Sequence, residues 1–412
     1  MNFKIICLLL ILISFSIQDL IEPKILIIGK AGVGKSTLIN SLMNKKVAYV
    51  NDVDTGTRTV DTYNIYKYGY NFTFYDTPGL YESIDKEKII ILDGAMGTML
   101  QARGMKPGEC PELFGVENPQ VLQDIHYQYV QAGSDIIESN TFGGNRYKLM
   151  EYGLSDRVEE INSELIHIAR QAAGKKAFVA ASIGPTGKLM RPMGSLGFDE
   201  MYDAFAEQMQ ACEKAGADLI SIETMTDIGE MRAALIAARE STRLPVIAHL
   251  TFENGGRTMT GTDPLGALII LEAFQPLALG ANCSGGGKEL LPVIEQMGKY
   301  ASCCLSVEPN AGMPQLVDGQ TVFPDSPEEM AENALRLRQV GANIIGGCCG
   351  STPLHIQAIA KTLKGLAPVK RSHKGFRALA SRSRYIIIGE NNPLAFIGER
   401  INPTARKVLA QD

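Results

Sequence analysis

The feature that most constrains this chain is an alternation of short apolar runs with amphipathic helical stretches, repeated eight times between residues 88 and 366. The runs are typical of strands buried on both faces, and they cover residues 89–92, 135–138, 178–183, 219–223, 246–251, 278–282, 304–308 and 343–346. Helical periodicity is clearest over residues 156–173, 198–215, 228–241 and 327–340. Eight such units predict an α/β protein whose parallel sheet closes into a (β/α)₈ TIM barrel; an open doubly wound sheet is the alternative.

The composition is that of an ordinary globular protein. Its 412 residues allow two or three domains. The 45 acidic and 40 basic residues give a net charge of −5, which excludes the basic surface expected of a general nucleic-acid-binding protein. Eight cysteines are too few for a disulfide scaffold in a chain of this length, but two adjacent pairs, Cys303-Cys304 and Cys348-Cys349, make their placement informative.

Three cysteines fall at the carboxyl ends of predicted strands, where barrel enzymes carry their chemistry. Cys283 follows the sixth strand, and Cys348 and Cys349 follow the eighth. These strands are two apart around a barrel, and glycines on both sides of the pair permit an irregular backbone. Three thiolates with one open position are typical of a catalytic zinc site, so we predict that these cysteines are catalytic metal ligands.

The other cysteine pair and a histidine provide comparisons for this prediction. Buried cysteines are common small apolar residues, so simple proximity is the alternative explanation of the three. Cys303-Cys304 begins the seventh strand, at the opposite end of the barrel, and is predicted to be structural. His249 ends the fifth strand and is interpreted as a hydrogen-bonded histidine rather than a fourth ligand.

The motifs at the strand ends together resemble the homocysteine S-methyltransferase family over nearly all of residues 88–366. They are Leu92-Asp-Gly-Ala-Met-Gly-Thr98, Asn140-Thr-Phe-Gly-Gly-Asn145, Gly280-Ala-Asn-Cys-Ser284, Pro309-Asn-Ala-Gly312 and Gly346-Gly-Cys-Cys-Gly-Ser-Thr-Pro353. The resemblance implies methyl transfer to homocysteine to form methionine, with Zn²⁺ on Cys283, Cys348 and Cys349 and the substrate sulfur at the open position. Methylcobalamin is the donor that it implies.

Further residues at the same end are candidates for substrate binding. On this resemblance, Asp93 and Glu223 are interpreted as holding the homocysteine ammonium, and the backbone amides of Gly94 and Ala95 as taking its carboxylate. The alternative is that these carboxylates are ordinary polar residues of a barrel mouth. A member of the family that uses betaine or S-methylmethionine as donor would show the same motifs.

A second motif precedes the barrel. Residues 29–36 fit the phosphate-binding pattern G-x-x-x-x-G-K-[ST] between a predicted strand (24–28) and a helix. Gly29 and Gly34 let backbone amides surround phosphates, Lys35 supplies positive charge, and Ser36 suits Mg²⁺. With Gly56-Thr-Arg-Thr59 as a switch loop and a second strand ending in the Mg²⁺-side Asp76, the segment resembles septin and plant-immunity-associated GTPases.

That resemblance ends near residue 87. No guanine-reading [NT]-K-x-D motif follows. Residues 24–87 are therefore predicted to be a truncated P-loop GTPase fragment, a partial α/β unit that binds GTP weakly. A GTP-binding protein driven by this P-loop is the alternative function from another class.

The two ends of the chain carry further signals. Residues 1–23 contain an apolar run that is shorter than the roughly 20 residues needed to span a bilayer. Either a signal-like segment or a buried element is therefore expected, and no membrane span.

Residues 367–383 are basic and polar, as in a linker. Residues 384–412 include Ile397-Gly-Glu-Arg-Ile-Asn-Pro-Thr404, which resembles the opening strand of the pterin-binding barrel of cobalamin-dependent methionine synthases and implies methyltetrahydrofolate as their methyl source. Because zinc thiolates must stay reduced, a cytoplasmic location is expected.

Overall fold

The computed structural model describes residues 88–253, 256–317, 320–371 and 376–388, together with the backbone of three strands nearer the N terminus. These strands are β1 (Lys24–Ile27), β2 (Asp61–Lys67) and β3 (Tyr70–Asp76). They form a sheet in the order β1-β3-β2, with β1 parallel and β2 antiparallel to β3. Gly29, Gly34, Lys35 and Ser36 lie outside the described residues, as do residues 1–23 and 389–412.

The register of this small sheet places Asp76 beside the end of the first strand. Ile27, the last residue of β1, is paired with Asp76, the last residue of β3. The two strands therefore end side by side, and residues 29–36 follow β1 in the sequence. The sequence predicted β1 and β3 but not β2.

Eight parallel strands form the barrel. They are β4 (Ile90–Ile91), β5 (Ile136–Glu138), β6 (Phe178–Ile183), β7 (Leu219–Met225), β8 (Val246–Leu250), β9 (Ala278–Asn282), β10 (Cys304–Glu308) and, after the hairpin of β11 (Gln315–Val317) and β12 (Gln320–Val322), β13 (Ile344–Ile345). Their order is β4-β13-β10-β9-β8-β7-β6-β5. The two end strands meet where the Asp135 N–H donates to the Ile91 carbonyl at 2.8 Å and the Glu138 N–H donates to Asp93 Oδ2 at 3.1 Å. The predicted (β/α)₈ barrel is confirmed.

Helices follow the strands on the outside of the barrel. They are α1 (Gly97–Ala102), α2 (Pro111–Glu117), α3 (Pro119–Ala132), α4 (Arg146–Met150), α5 (Val158–Ala173), α6 (Phe198–Lys214), α7 (Ile228–Ser241), α8 (Pro264–Leu271), α9 (Gly287–Gly298), α10 (Pro327–Gln339) and α11 (Pro353–Leu363), with a 3₁₀ turn at Glu272–Phe274. The start of α10 shows why a boundary can be predicted. Ser326 accepts from the Glu329 N–H, the Glu329 carboxylate accepts from the Ser326 N–H, and Pro327 takes the first helical position.

The barrel interior is apolar near the amino ends of the strands and contains polar side chains near their carboxyl ends. Near the amino ends it is filled by apolar side chains such as Ile136, Leu219 and Ile247. Side chains alternate along a strand, so Glu223 shares the inward face of Leu219, and His249 shares that of Ile247. Both are buried. The strands were predicted to be apolar on both faces, and this holds only for the amino-terminal half, because the inward positions near the carboxyl ends border the candidate site.

The described chain ends in a hairpin on the outside of the barrel. Its strands are β14 (Arg377–Ala380) and β15 (Tyr385–Ile388), paired antiparallel. The boundary predicted between a linker ending at residue 383 and a new domain starting at residue 384 falls in the turn of this hairpin. None of the helices in the described ranges has the length and apolar character needed to cross a membrane.

Candidate active site

Three thiols converge at the carboxyl end of the barrel. The sulfur atoms of Cys283, Cys348 and Cys349 all lie within 4.8 Å of one another, and the Cys283 and Cys349 sulfurs are 3.6 Å apart. All three side chains are partly exposed. The structure thus brings together the three cysteines that the sequence singled out, and we call them the thiol cluster.

The backbone around the thiol cluster has an irregular conformation, which allows the three cysteine side chains to converge. Cys283 has a left-handed φ of +56°, which is uncommon for a residue with a side chain and persists only where the surrounding structure enforces it. Gly350 also has a left-handed φ, +79°. A Cβ on Gly346 would lie 2.6 Å from Leu92 Cβ, so only glycine permits the close packing under the pair.

The thiol cluster has the chemistry of a soft-metal site. Hydrogen bonds from the Cys283 and Cys348 thiols lower the pKa of Cys349 to about 3. The pKa of Cys348 is raised well above its usual range, chiefly because its thiol donates to Cys283 and Cys349. One of the three sulfurs is thus stabilised as a thiolate by the other two, and thiolates are the preferred ligands of zinc. The donor set fits a metal ion held by sulfur alone.

His249 is not part of this cluster. It is fully buried in the barrel interior, and its Nδ1 lies 3.5 Å from Glu308 Oε2. Burial lowers the pKa of His249 to about 3, so the ring is neutral at physiological pH. The hydrogen bond expected for His249 is not found, since both ring nitrogens lack a hydrogen-bonding partner within the described part of the chain.

Glu223 lies beside the thiol cluster in a network that fixes both of its oxygens. The Ser182 hydroxyl donates to Oε1 at 2.5 Å, and the Asn282 amide donates to Oε2 at 3.0 Å. Burial raises the pKa of Glu223, and these two hydrogen bonds act in the opposite direction. The pKa of Asp93 is raised well above its usual range, first by burial and then by the charge of Glu223. Both carboxyl groups are thus buried at this end of the barrel and interact electrostatically.

Sequence reasoning missed two further carboxylates at this end of the barrel. Oxygens of Glu138, Glu223 and Glu308 lie within 4.8 Å of one another. Glu138 and Glu308 each end a predicted strand, and each has an oxygen without a hydrogen-bonding partner among the described residues. The signal that could have found them is the period-two alternation, which places the last residue of β5 and of β10 inside the barrel.

The turn that contains Gly94 and Ala95 is tied to the cysteine pair. The Ala95 N–H donates to Ser351 Oγ at 3.1 Å, and Ser351 Oγ donates to the Cys348 carbonyl at 2.7 Å. A Cβ on Gly94 would lie 2.7 Å from Ser351 Oγ and 2.9 Å from Tyr129 Cε1. The Ala95 amide, predicted to bind the substrate carboxylate, is therefore already engaged by Ser351.

The second cysteine pair lies at the other end of the barrel. The Cys303 N–H donates to Glu272 Oε1 at 2.9 Å, and the Cys303 carbonyl accepts from Arg371 at 2.6 Å. Cys304 is the first residue of β10, whereas the thiol cluster follows the carboxyl ends of β9 and β13. Burial raises the pKa of Cys303, so its thiol stays protonated. This pair is separate from the candidate site.

Fold and site together define a (β/α)₈ enzyme with three convergent thiols and a buried carboxylate at the carboxyl ends of its strands. Comparison with known families gives the particular family. Residues 90–363 match the model of the family described as homocysteine S-methyltransferase. The chain belongs to this family, and its barrel is that of a methyltransferase.

Similar proteins support this assignment. The chain is 32% identical over 353 residues to the methionine synthase of Mycobacterium tuberculosis (strain ATCC 25618 / H37Rv), which covers 81% of this chain and 29% of that protein. It is 32% identical over 362 residues to the methionine synthase of Mycobacterium leprae (strain TN), a match that covers 82% of this chain and 30% of that protein. The chain thus spans about 30% of the length of these relatives.

Solved structures show the same fold. The metallated form of the homocysteine methyltransferase MmuM from Escherichia coli has a TM-score of 0.59 at 24% identity, covering 68% of this chain and 98% of that chain. Its oxidized form has a TM-score of 0.57 at 24% identity, and the match covers 66% of this chain and 95% of that chain.

A second family matches the N-terminal part. Residues 24–102 match the model of a family described as 50S ribosome-binding GTPase. This supports the predicted GTPase fragment. The last residues of the match include β4 and α1, which belong to the barrel, because Ile90 and Ile91 pair with Ile344 and Ile345 of β13.

Proposed function

We propose that the barrel transfers a methyl group to the sulfur of homocysteine and forms methionine, with zinc as its resident metal and methylcobalamin as the donor. The observation that carries this proposal is the convergence of three sulfur atoms within 4.8 Å at the carboxyl end of the barrel. Its support from relatives is the 32% identity to two mycobacterial methionine synthases. Because reduced thiols are required, we also place the protein in the cytoplasm.

Zinc would be held by Cys283, Cys348 and Cys349. When bound, it lowers the pKa of the homocysteine thiol, so that the nucleophilic thiolate is present at neutral pH. The chain contributes a fixed arrangement of the sulfurs. The Cys348 N–H donates to the Pro309 carbonyl at 2.8 Å, and the Ala311 N–H donates to the Cys349 carbonyl at 2.9 Å. The loop after β10 therefore holds the cysteine pair in position.

The amino-acid end of homocysteine would be held by the carboxylates beside the thiol cluster. Glu223 and Asp93 are buried, and the charge of Glu223 raises the pKa of Asp93, so a substrate ammonium beside them offsets both burial and repulsion. Glu223 is pre-oriented by Ser182 and Asn282 and needs little rearrangement to bind. The Gly94 amide remains our candidate donor to the substrate carboxylate, because the Ala95 amide is engaged by Ser351.

The test is methionine formation from homocysteine by the purified, zinc-loaded chain, with each donor supplied in turn. Methylcobalamin is expected to give methionine, and the Cys349→Ala variant serves as the blank. Methyltetrahydrofolate without a corrinoid is expected to give none. Methionine made from betaine or S-methylmethionine, but not from methylcobalamin, would refute methylcobalamin as the donor while supporting homocysteine as the methyl acceptor. No methionine from any donor would refute the proposed function.

A second activity, weak GTP binding, is favoured by a separate observation. Residues 24–102 match a GTPase family, and Ile27, which precedes residues 29–36 in the sequence, is paired with Asp76. We propose that Gly29, Gly34, Lys35 and Ser36 contact the phosphates. Nucleotide titration of the whole chain tests this proposal.

A further inference from the structure

The segment of residues 376–388 runs along the barrel from one end to the other, and we call it the strap. At its start, the Phe376 ring packs edge-on against Tyr300 with ring centroids 4.9 Å apart. Tyr300 precedes β10 and so lies at the amino end of the strands. From there β14 packs against α8. The turn of the strap reaches Thr262, which lies just before α8 at the carboxyl end of the barrel.

Arg382 in that turn contacts three loops at the carboxyl end. Its guanidinium donates to Asp227 Oδ1 at 2.5 Å, after β7, and lies 3.9 Å from Met193 Sδ, after β6. Its carbonyl accepts from the Thr262 hydroxyl at 2.5 Å, after β8. A single residue of the strap therefore joins the loops that follow three neighbouring strands.

Asp227 depends on this contact because it is buried. Only 2% of the Asp227 side chain is exposed, against 39% of the Arg382 side chain. Asp227 Oδ1 also accepts from the Thr260 hydroxyl at 3.1 Å, while its Oδ2 has no hydrogen-bonding partner within the described ranges. Removal of the guanidinium would leave a buried carboxylate without its cation, which is strongly unfavourable. The loop that carries Asp227 would then rearrange to reach water.

That loop follows the end of β7, the strand that carries Glu223. Thr224 has a left-handed φ of +58°, a conformation that persists only where its surroundings enforce it. The Thr224 N–H donates to Asn282 Oδ1 at 2.9 Å, and the Asn282 amide donates to Glu223. Residues 224–227 are thus anchored by Asn282 at one end and by Arg382, through Asp227, at the other.

We propose that Arg382 is a positioning residue for homocysteine: by pairing with Asp227 it holds residues 224–227 so that Glu223 meets the substrate ammonium. The inference rests on the proposed function, because it concerns the amine-binding carboxylate of that site. Arg382 itself touches neither the thiol cluster nor Glu223 in this arrangement. Its effect is therefore expected on substrate affinity and not on metal binding or the methyl-transfer step.

The test compares Arg382→Ala with Arg384→Ala, which removes an exposed arginine from the same turn. Arg382→Ala is expected to raise the KM for homocysteine about tenfold, the effect of losing roughly one hydrogen bond to a charged group. Its kcat and zinc content should match those of the wild type. Hydrogen exchange should accelerate in a peptide covering residues 224–231. Arg384→Ala should leave all four measurements unchanged, and Arg382→Lys should restore most of the affinity.

Two further variants show whether Arg382 acts through Asp227. Asp227→Asn should reproduce the higher KM, and the double variant should be no worse than either single variant, because both remove one interaction. A wild-type KM and wild-type exchange in Arg382→Ala would overturn the proposal. Loss of zinc, or faster exchange throughout the barrel, would also overturn it, since that indicates general destabilisation. If the wild type makes no methionine, the proposed function fails, whereas the exchange measurement still reports on the strap.

Discussion

The sulfur atoms of Cys283 and Cys349 lie 3.6 Å apart although 66 residues separate them in the chain. β10 lies between the strands that carry these two cysteines. The residues at the end of β10 accept hydrogen bonds from the backbone on both sides. The Glu308 carbonyl accepts from the Cys283 N–H at 3.3 Å, and the Pro309 carbonyl accepts from the Cys348 N–H at 2.8 Å. The position of the sulfurs therefore depends on the strand order β9-β10-β13 and on the loop after β10.

Metal content should depend on the thiol cluster alone. We expect about one zinc ion per chain in the purified protein and its loss in Cys348→Ala, because the two remaining thiolates bind zinc weakly. Cys303→Ala is the matched control and should keep its metal, since Cys303 lies at the other end of the barrel. Elemental analysis is the measurement. Equal zinc in wild type and Cys348→Ala would contradict the assignment.

Glu223→Gln should weaken homocysteine binding while leaving zinc in place. The substitution keeps the shape of the side chain and removes the charge that faces the substrate ammonium. A charge-assisted hydrogen bond contributes about 1.5–3 kcal/mol, so KM should rise about ten- to hundredfold. Glu332→Gln, on the exposed face of α10 where Glu332 pairs with Arg336, should leave KM unchanged. An unaltered KM in Glu223→Gln would remove Glu223 from the substrate site.

Gly350→Ala should destabilise the cysteine turn more than a comparable change elsewhere. Gly350 has a φ of +79°, and an added Cβ would lie 2.2 Å from Phe323 Cγ. Gly153 has a φ of +72° with open space around it, so Gly153→Ala isolates the backbone cost of about 1–2 kcal/mol. Gly350→Ala should lower the free energy of unfolding by about 1–3 kcal/mol more than Gly153→Ala, because of the steric clash. Urea unfolding measures the difference, and equal losses would contradict the close packing at Gly350.

Stability should fall in acid partly because of His126. Burial lowers the pKa of this histidine from 6.5 to about 3. Below pH 6.5 the unfolded chain therefore binds a proton that the folded chain rejects, and the free energy of unfolding decreases by about 1.4 kcal/mol per pH unit. This contribution is complete above pH 6.5 and is lost as the pH falls.

The measurement is urea unfolding of wild type and His126→Leu at pH 7 and pH 5. The wild type should lose about 2 kcal/mol more than His126→Leu between these two values. His167→Leu, which removes a solvent-exposed imidazole from α5, is the control and should behave as the wild type. Parallel losses in wild type and His126→Leu would show that His126 is not buried as a neutral ring.

The N-terminal fragment should bind GTP and ATP weakly and with equal affinity. Its phosphate-binding residues include Lys35, while no guanine-reading motif follows in the sequence. Lys35→Ala should abolish binding of both nucleotides, because it removes the charge that pairs with the phosphates. Calorimetry with each nucleotide is the measurement. Tight binding of GTP with rejection of ATP would contradict this prediction, as would steady GTP hydrolysis above the buffer rate.

The sequence by itself determined the strands of the barrel, several of its helices and the end of the barrel at which its chemistry lies. Strands β6, β9 and β10 begin and end at the predicted residues, because a short apolar run bounded by turn residues is a local signal. The same holds for α7 and for the start of α10 at Pro327. The thiol cluster was also predictable, since the order of strands in a barrel fixes which strand ends lie close together.

Only the tertiary structure decided how side chains from distant elements meet. The sequence does not indicate that the Ala95 amide donates to Ser351, that His249 has no hydrogen-bonding partner among the described residues, or that Arg382 reaches Asp227 across 155 positions of the chain. Such contacts depend on the register between strands and on the path of the chain over the barrel. Periodicity reports which face of an element is buried, but it carries no information about which side chain of another element lies opposite.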